Sequence, residues 1–160
     1  MPPEIIDRLA ALMHANYRHN ARTNRWPLKQ DLDLPFDELS PDMQESNRAA
    51  ARRIGEVLAV AGVQIMPAHQ ALMQALSEVQ LYDLVEQHMR HLAPAEHAGW
   101  MRQRIETGWR YAPVRNDAQK LHPCLVPFAE LSGADKEKDR NQVRSYPALL
   151  RQAGLVAVKM

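Results

Sequence analysis

Cysteine is the scarcest residue in this chain, since Cys124 is the only one among 160 residues. A single cysteine excludes an intrachain disulfide and a cysteine-rich zinc site, which fits a reducing compartment. We expect Cys124 to be a small buried apolar side chain rather than a reactive thiol. No apolar run approaches the length of a membrane span, and the first ten residues, MPPEIIDRLA, lack the features of a secretory signal. The expected location is therefore the cytoplasm, with no membrane partner.

The chain also lacks an excess of charge of one sign. It has 20 Lys and Arg against 19 Asp and Glu, and the formal net charge is +1. Because affinity for nucleic acid depends on clustered positive charge, and the cations here are spread over both halves, we expect no nucleic-acid partner. The length is enough for a compact fold without covalent staples.

Motifs of catalysis are missing as well. The sequence contains no Gly-rich phosphate loop, no nucleophile elbow and no H-E-x-x-H. His88, His91 and His97 lie near one another, but no second group of ligands has metal spacing. We therefore expect no metal, no cofactor and no catalytic residues, and the chain is interpreted as a non-enzyme.

Apolar residues at helical spacing predict a first helix over residues 3–23. Ser40 is placed to cap a second helix, with Pro41 at its first position and Gly62 at its end. Val63 to Met66 then reads as a short extended segment.

The rest of the chain is also interpreted as mainly helical. A helical linker and third helix are expected from Pro67 to about Leu92, followed by a kink or break at Pro94. A last helix from Gly133 to Ala153 is expected to bend at Tyr146-Pro147, before a short extended tail. The expected apolar face of the third helix is Leu72, Met73, Leu76, Leu81, Leu84, Val85 and Met89.

The stretch from His97 to Ser132 contains most of the aromatic and cationic side chains that could bind a ligand. His97, Trp100, Arg104 and Thr107 share one side of a helix that should stop at Gly108. Three prolines make the following segment an ordered loop rather than a strand, and it carries cations beside the helix end. Such a loop suits an anionic planar ligand, although tryptophans in a small domain are also common core residues. We expect Trp26 and Trp109 to be buried packing anchors.

The two halves of the chain resemble each other. An offset of 92 residues aligns the segment from Leu34 with the segment from Val126, and an offset of 83 aligns the first helix with the helix that carries Trp100. This register indicates an internal duplication. Identical or similar pairs include His14 with His97, Tyr17 with Trp100, Trp26 with Trp109, Pro35 with Pro127, Phe36 with Phe128, Ser40 with Ser132, Arg48 with Arg140, and Gly62 with Gly154.

The second copy, HAGWMRQRIETGWRYAPVRNDAQKLHPCLVPFAELS, resembles the ryanodine-receptor repeat. The resemblance implies a tandem pair of repeats of the kind also found in stand-alone prokaryotic and phage proteins. Residues 1–66 are the first repeat, which is shorter and degenerate, and residues 67–160 are a linker helix and the second repeat. The resemblance also implies a mainly α fold, with two helical repeats and short β pieces related by a pseudo-two-fold axis and packed as one unit. The residues that carry it are His97, Trp100, Gly108, Trp109, Tyr111, Arg115, Lys120, His122, Pro123, Leu125, Val126, Pro127, Phe128, Leu131, Asp139 and Arg140.

By the same resemblance, an adenine nucleotide binds in the cleft between the copies and stacks on an aromatic residue from each. The implied ligand-binding residues are Tyr17, Asn47, Trp100, Arg104, Arg115 and Asp139. The leading hypothesis is a module that senses or sequesters such a nucleotide, including cyclic and NAD-derived signals of phage defence. Two alternatives remain for the function: a module that docks a partner protein, and an enzyme that processes nucleotides. The oligomeric state is also open between a monomer and a homodimer.

Overall fold

The computed structural model describes residues 1–71 and 74–160, and in these ranges the chain forms six α-helices and four short strands. The helices are α1 (Pro3–Thr23), α2 (Pro41–Val60), α3 (Glu78–Gln87), α4 (Met89–Glu106), α5 (Gly133–Arg144) and α6 (Tyr146–Gln152). The strands are β1 (Val63–Pro67), β2 (Arg110–Tyr111), β3 (Leu121–His122) and β4 (Leu155–Lys159). The predicted mainly helical fold is confirmed.

Local signals place several of these helix ends. The hydroxyl oxygen of Ser40 accepts a hydrogen bond from the backbone N–H of Met43 at 3.3 Å, so it satisfies one of the free donors at the start of α2. Past its other end Gly62 has a φ of +78°, which a residue with a Cβ adopts only with strain. The expected bounds of α1 and α2, the break at Tyr146-Pro147 and the extended tail are confirmed.

The third predicted helix is wrong in its bounds. Ala68–Gln70 forms only a short 3-10 helix. Residues 74–77 are not helical as expected, because Leu76 donates its N–H to the carbonyl of Ala157 at 2.9 Å and forms a bridge with β4. Helix α3 begins only after Ser77, which makes a reciprocal capping box with Gln80. The expected positions of Leu72 and Met73 lie outside the described residues.

The interruption expected at Pro94 is also wrong. Pro94 lies inside α4, and the chain breaks earlier, at His88 between α3 and α4. Leu92 and Ala93 before the proline and Glu96 and His97 after it are all buried, so packing on both sides outweighs the one backbone hydrogen bond that proline removes. The loop after α4 is less irregular than expected, since β2 and β3 form a two-residue parallel pair.

A second sheet joins the middle of the chain to its last residues. Strand β1 pairs antiparallel with β4, from Val63 opposite Lys159 to Pro67 opposite Leu155. Helix α4 packs against both α2 and α5, and α1 packs against α2. The apolar core draws on all of these elements, and Leu9, Ile54, Leu92 and Leu150 are among its fully buried residues. In the described ranges no helix is long and apolar enough to cross a bilayer.

A charged group is buried where α2 crosses α4. Arg53 donates to the carboxylate of Glu96 at 3.2–3.3 Å, and the hydroxyl of Tyr146 donates to the same carboxylate at 2.6 Å. Burial is the main reason that the pKa of Tyr146 is raised, so its hydroxyl keeps its proton. Gly99 makes room for this group, because a Cβ at that position would lie 2.4 Å from Cδ of Arg53.

Candidate functional site

The last two turns of α4 present Trp100 to the loop that follows. The indole is half-buried. The ring of His97, one turn earlier, stacks on it with centroids 5.5 Å apart and planes 27° apart. The guanidinium of Arg104, one turn later, lies 5.7 Å from its centroid, and the ring of His122 meets it nearly edge-on at 5.0 Å. Trp100 is therefore held between helix and loop, with protein contacts from three directions.

Arg104 lies between two indoles. Its guanidinium carbon is 5.7 Å from the ring centroid of Trp100 and 5.0 Å from that of Trp109. Its Nε atom is buried without a hydrogen-bond partner among the described residues. Burial, followed by the positive charges of Arg115 and Arg53, lowers the pKa of Arg104. We call Trp100, Arg104, Trp109 and His122 the Trp–Arg cluster; it contains a cation whose buried donor is unused, a rare and costly feature in folded proteins.

The histidine of this cluster is neutral. Nδ1 of His122 accepts the backbone N–H of Cys124 at 3.0 Å, so the ring proton lies on Nε2. Burial and the neighbouring charges of Arg115 and Arg104 lower the pKa of His122. Its ring centroid is 6.2 Å from that of Trp109, and His122 thus supplies an uncharged ring between the two indoles.

His97, in contrast, is surrounded by acceptors. Its Nε2 is 2.7 Å from the carbonyl oxygen of Val126, and its Nδ1 is 3.1 Å from a carboxylate oxygen of Asp139. Burial alone would lower the pKa of His97, but the hydrogen bonds to Asp139 and to Val126 outweigh it and the net shift is upward. Because both partners can only accept, the doubly protonated ring fits this position best.

The loop beyond α4 brings Arg115 to the cluster. Arg115 donates to Asp117 at 2.7 and 3.2 Å, and Lys29 from the loop after α1 donates to the same carboxylate at 2.9 Å. The hydrogen bond from Arg115, followed by that from Lys29, lowers the pKa of Asp117 to about 2. The charges of Arg115 and Asp117 also act on the pKa of Arg104, so these groups share one electrostatic environment.

The structure brings together part of the site predicted from the sequence. Trp100, Arg104 and Arg115 lie in one region. Asp139 is connected to it by His97, whose Nδ1 lies 3.1 Å from the carboxylate of Asp139. Tyr17 is exposed and its ring stacks on His14 at 6.4 Å, while Asn47 is half-buried on α2. Among the described contacts, none joins Tyr17 or Asn47 to Trp100.

The expectation that both other tryptophans are buried anchors is wrong for Trp26, which is 54% exposed. Its backbone N–H donates to the carbonyl of Ala21 at 2.8 Å and closes the end of α1, after Arg25 has turned the chain with a φ of +55°. The indole is thereby directed away from the core. Trp109 is half-buried and packs on Arg104 and His122 instead of on core residues.

Sequence reasoning missed three residues at this site. The sequence assigns no binding role to Lys29 and Asp117, and it marks His122 only as a residue of the repeat motif, whereas the structure places this ring in the cluster with a lowered pKa. Lys29 and Asp117 are 88 positions apart, and no short-range pattern joins them. In the part of the chain that the structure describes, no three His, Cys, Asp or Glu side chains come together as a metal ion would require.

Comparison with protein families gives a match to the model described as the RyR domain, over residues 74–157. The match covers more than half of the chain and runs from before α3 into β4. It contains the whole Trp–Arg cluster together with Arg115 and Asp117. Residues 1–73, which include Lys29 and Tyr17, lie outside it.

Proposed function

Because the chain belongs to the RyR domain family, we propose that it is a non-catalytic module that binds an adenine-containing nucleotide next to the Trp–Arg cluster. Candidate ligands include cyclic and NAD-derived nucleotide signals, which the protein would sense or sequester. The cluster offers aromatic faces and one buried donor, Nε of Arg104, that has no partner among the described residues. Both ring nitrogens of the adjacent His97 are engaged within the protein, which favours binding over proton transfer.

The proposal includes two tandem repeats related by a pseudo-two-fold axis, with the ligand between them. Two observations support this arrangement. His14 and His97 each lie 2.7 Å from a backbone carbonyl oxygen, of Leu34 and Val126 respectively, and both contacts agree with the offsets found in the sequence. The antiparallel pairing of β1 with β4 is centred on Ile65 and Ala157, which are themselves 92 residues apart. A duplicated unit paired with itself gives this register.

The observation that carries the proposal is the buried Nε of Arg104, unpaired between two indoles. No hydrogen bond among the described residues is lost if the guanidinium turns away from Trp100. The adenine then takes the place of the guanidinium over the indole, and the guanidinium turns to the phosphate. Stacking contributes about 1–3 kcal/mol per base and a hydrogen bond to a charged group about 1.5–3 kcal/mol, enough for micromolar affinity after the costs of association.

Docking of a partner protein is the second candidate function. Trp26, Tyr111 and Val114 are all exposed, and they lie in or next to the two loops that Lys29 and Asp117 join. Exposed aromatic side chains are frequent anchors of protein interfaces. The surface around this link is therefore the place where such a partner would bind.

Calorimetric titration with AMP, ADP, NAD and cyclic ADP-ribose isomers tests the nucleotide proposal. We expect micromolar binding of at least one adenine nucleotide by the parent protein and at least tenfold weaker binding by Arg104→Met. The melting temperature of the unliganded Arg104→Met protein should be unchanged or higher, because methionine packs between the indoles without a buried unpaired charge.

Arg102→Met is the matched control, since Arg102 lies on the same helix with a largely exposed side chain paired to Glu56. Its nucleotide affinity should equal that of the parent. Flat titrations across the panel, or unchanged affinity in Arg104→Met, would contradict the proposal. Turnover of a ligand during incubation would favour the nucleotide-processing enzyme, and a stoichiometric protein partner retained by Arg104→Met would favour docking.

A further inference from the structure

Lys29 is the residue of the first half that the described hydrogen bonds tie to the loop of Arg115. Its ammonium group donates to Asp117 at 2.9 Å, across a sequence separation of 88 residues. The same carboxylate accepts both hydrogen bonds from Arg115. A single carboxylate thus holds together two cations, one from each half of the chain.

Both ion pairs of Asp117 are open to solvent. The exposed fractions are 64% for Lys29, 60% for Arg115 and 34% for Asp117. Ion pairs exposed to this degree contribute little to stability and break readily. The charges of Arg115 and Asp117 also act on Arg104. Three cations thus accompany one carboxylate, and this region keeps a net positive charge that a phosphate could neutralise.

We propose that Lys29, Arg115 and Asp117 form the phosphate subsite of the ligand site, in which the Asp117 carboxylate occupies the place of a phosphate until a nucleotide binds. The inference rests on the proposed nucleotide-binding function. Binding exchanges an internal carboxylate for a ligand phosphate between the same two donors, so Asp117 competes with the ligand. Lys29 becomes a binding residue contributed by the half of the chain that lies outside the family match.

The subsite has a consequence for ligand choice. A nucleoside makes the stacking contacts only, whereas a nucleotide also reaches Lys29 and Arg115. The preference for AMP over adenosine should therefore depend on these two cations and decrease as salt screens them. Asp117 limits that preference, because its negative charge lies where the phosphate binds.

Calorimetry with adenosine, AMP and ADP on the full-length protein tests the subsite. We expect Lys29→Gln to weaken AMP and ADP binding about three- to tenfold and to leave adenosine binding unchanged. We expect Asp117→Asn to strengthen AMP and ADP binding about three- to tenfold, which matches the free energy of one or two exposed ion pairs. Lys138→Gln, a change of an exposed lysine on α5, is the matched control and should behave as the parent.

The outcomes separate this inference from the function on which it rests. Equal AMP affinity in the parent and Lys29→Gln, or weaker AMP binding in Asp117→Asn, overturns the subsite while adenosine binding upholds the nucleotide proposal. A parent protein that binds none of the three ligands contradicts the proposed function and, with it, the subsite.

Discussion

At the scale of single residues, His97 connects three parts of the molecule. Its ring stacks on Trp100, its Nε2 contacts the carbonyl of Val126 in the loop, and its Nδ1 contacts Asp139 on α5. The protonation state of this one imidazole therefore affects both the loop anchor and the indole of the Trp–Arg cluster.

The raised pKa of His97 predicts a pH-dependent stability. Below the ordinary pKa of 6.5 the ring is protonated whether the chain is folded or unfolded, and its stabilising contribution is fully present. As pH rises through the higher pKa of the folded state, the proton and the contribution are lost. We expect the melting temperature to fall by a few degrees above pH 6.5, a loss of about 1–3 kcal/mol from the charged hydrogen bond.

The control is Asp139→Asn, followed by thermal denaturation from pH 5.5 to 9. The variant should be less stable than the parent at low pH, and the two curves should converge at high pH. The contribution of His122 to stability has the opposite sign. Because folding lowers the pKa of His122, this residue makes the folded state less stable below pH 6.5, where the unfolded chain binds the proton more readily. If the melting temperatures of parent and variant changed in parallel from pH 5.5 to 9, His97 would not be charged when it contacts Asp139.

At the scale of elements, the crossing of α2 and α4 depends on the absence of a side chain at Gly99. We predict that Gly99→Ala destabilises the fold by about 1–3 kcal/mol, since the new methyl group would overlap Arg53, which is itself held by Glu96. The loss would be larger if the displaced Arg53 left Glu96 buried and unpaired. Urea denaturation monitored by circular dichroism measures the change.

Gly133→Ala is the matched control for this prediction. Gly133 lies in the first turn of α5, where a Cβ would meet no atom within 4 Å. That substitution should be neutral, or stabilise by up to about 1 kcal/mol by restricting the unfolded chain. If the two variants had equal midpoints of urea denaturation, α2 and α4 would have adjusted to the added methyl group.

Helix ends set by local chemistry could be predicted from the sequence, and those set by distant contacts could not. Ser40 and Gly62 bound α2 through their own hydrogen bonding and backbone preference. The capping box of Ser77 and Gln80 at the start of α3 is a local signal of the same kind. The extended conformation just before it depends on Leu76 pairing with Ala157 far along the chain, and continuity through Pro94 depends on burial on both of its sides. Neither influence is visible in a short window of sequence.

At the scale of the whole molecule, the family match and the core have different extents. The match begins after α1 and α2, at residue 74. The core cluster nevertheless includes Leu9 and Ile54 from these two helices together with Leu92 and Leu150. Strand β4 has its partner in β1, and Arg8 donates to the carbonyl of Ala153 at 2.8 Å. The matched residues therefore leave apolar surface uncovered when taken alone.

We predict that a fragment of residues 74–160 lacks a cooperative thermal transition, whereas the full chain melts in one step. The fragment loses the strand partner of β4 and the apolar contacts of α1 and α2, and the free energy of folding of a small domain is too low to absorb that loss. Circular dichroism and calorimetry of both proteins give the measurement. A fragment that melts cooperatively near the temperature of the full chain would contradict this prediction.

The candidate site was predictable in the part that is contiguous in sequence. The spacing alone puts Trp100 and Arg104 on one face of a helix, and Arg115 follows in the loop after that helix. Tyr17 and Asn47 were inferred from the repeat, whereas the hydrogen bond that ties the first half to this loop comes from Lys29. The pairing of two loops depends on the packing of the whole chain, which an alignment of the halves does not describe.

The unequal surroundings of the three indoles have an optical consequence. Trp26 is largely in water and emits as a solvated indole, whereas Trp100 and Trp109 emit from the cluster. A protonated imidazole stacked on an indole quenches its fluorescence, so the emission of Trp100 should increase as His97 loses its proton. In a Trp26→Phe protein the remaining fluorescence comes from the cluster alone. The same signal then reports the charge of His97 and the arrival of a ring on Trp100.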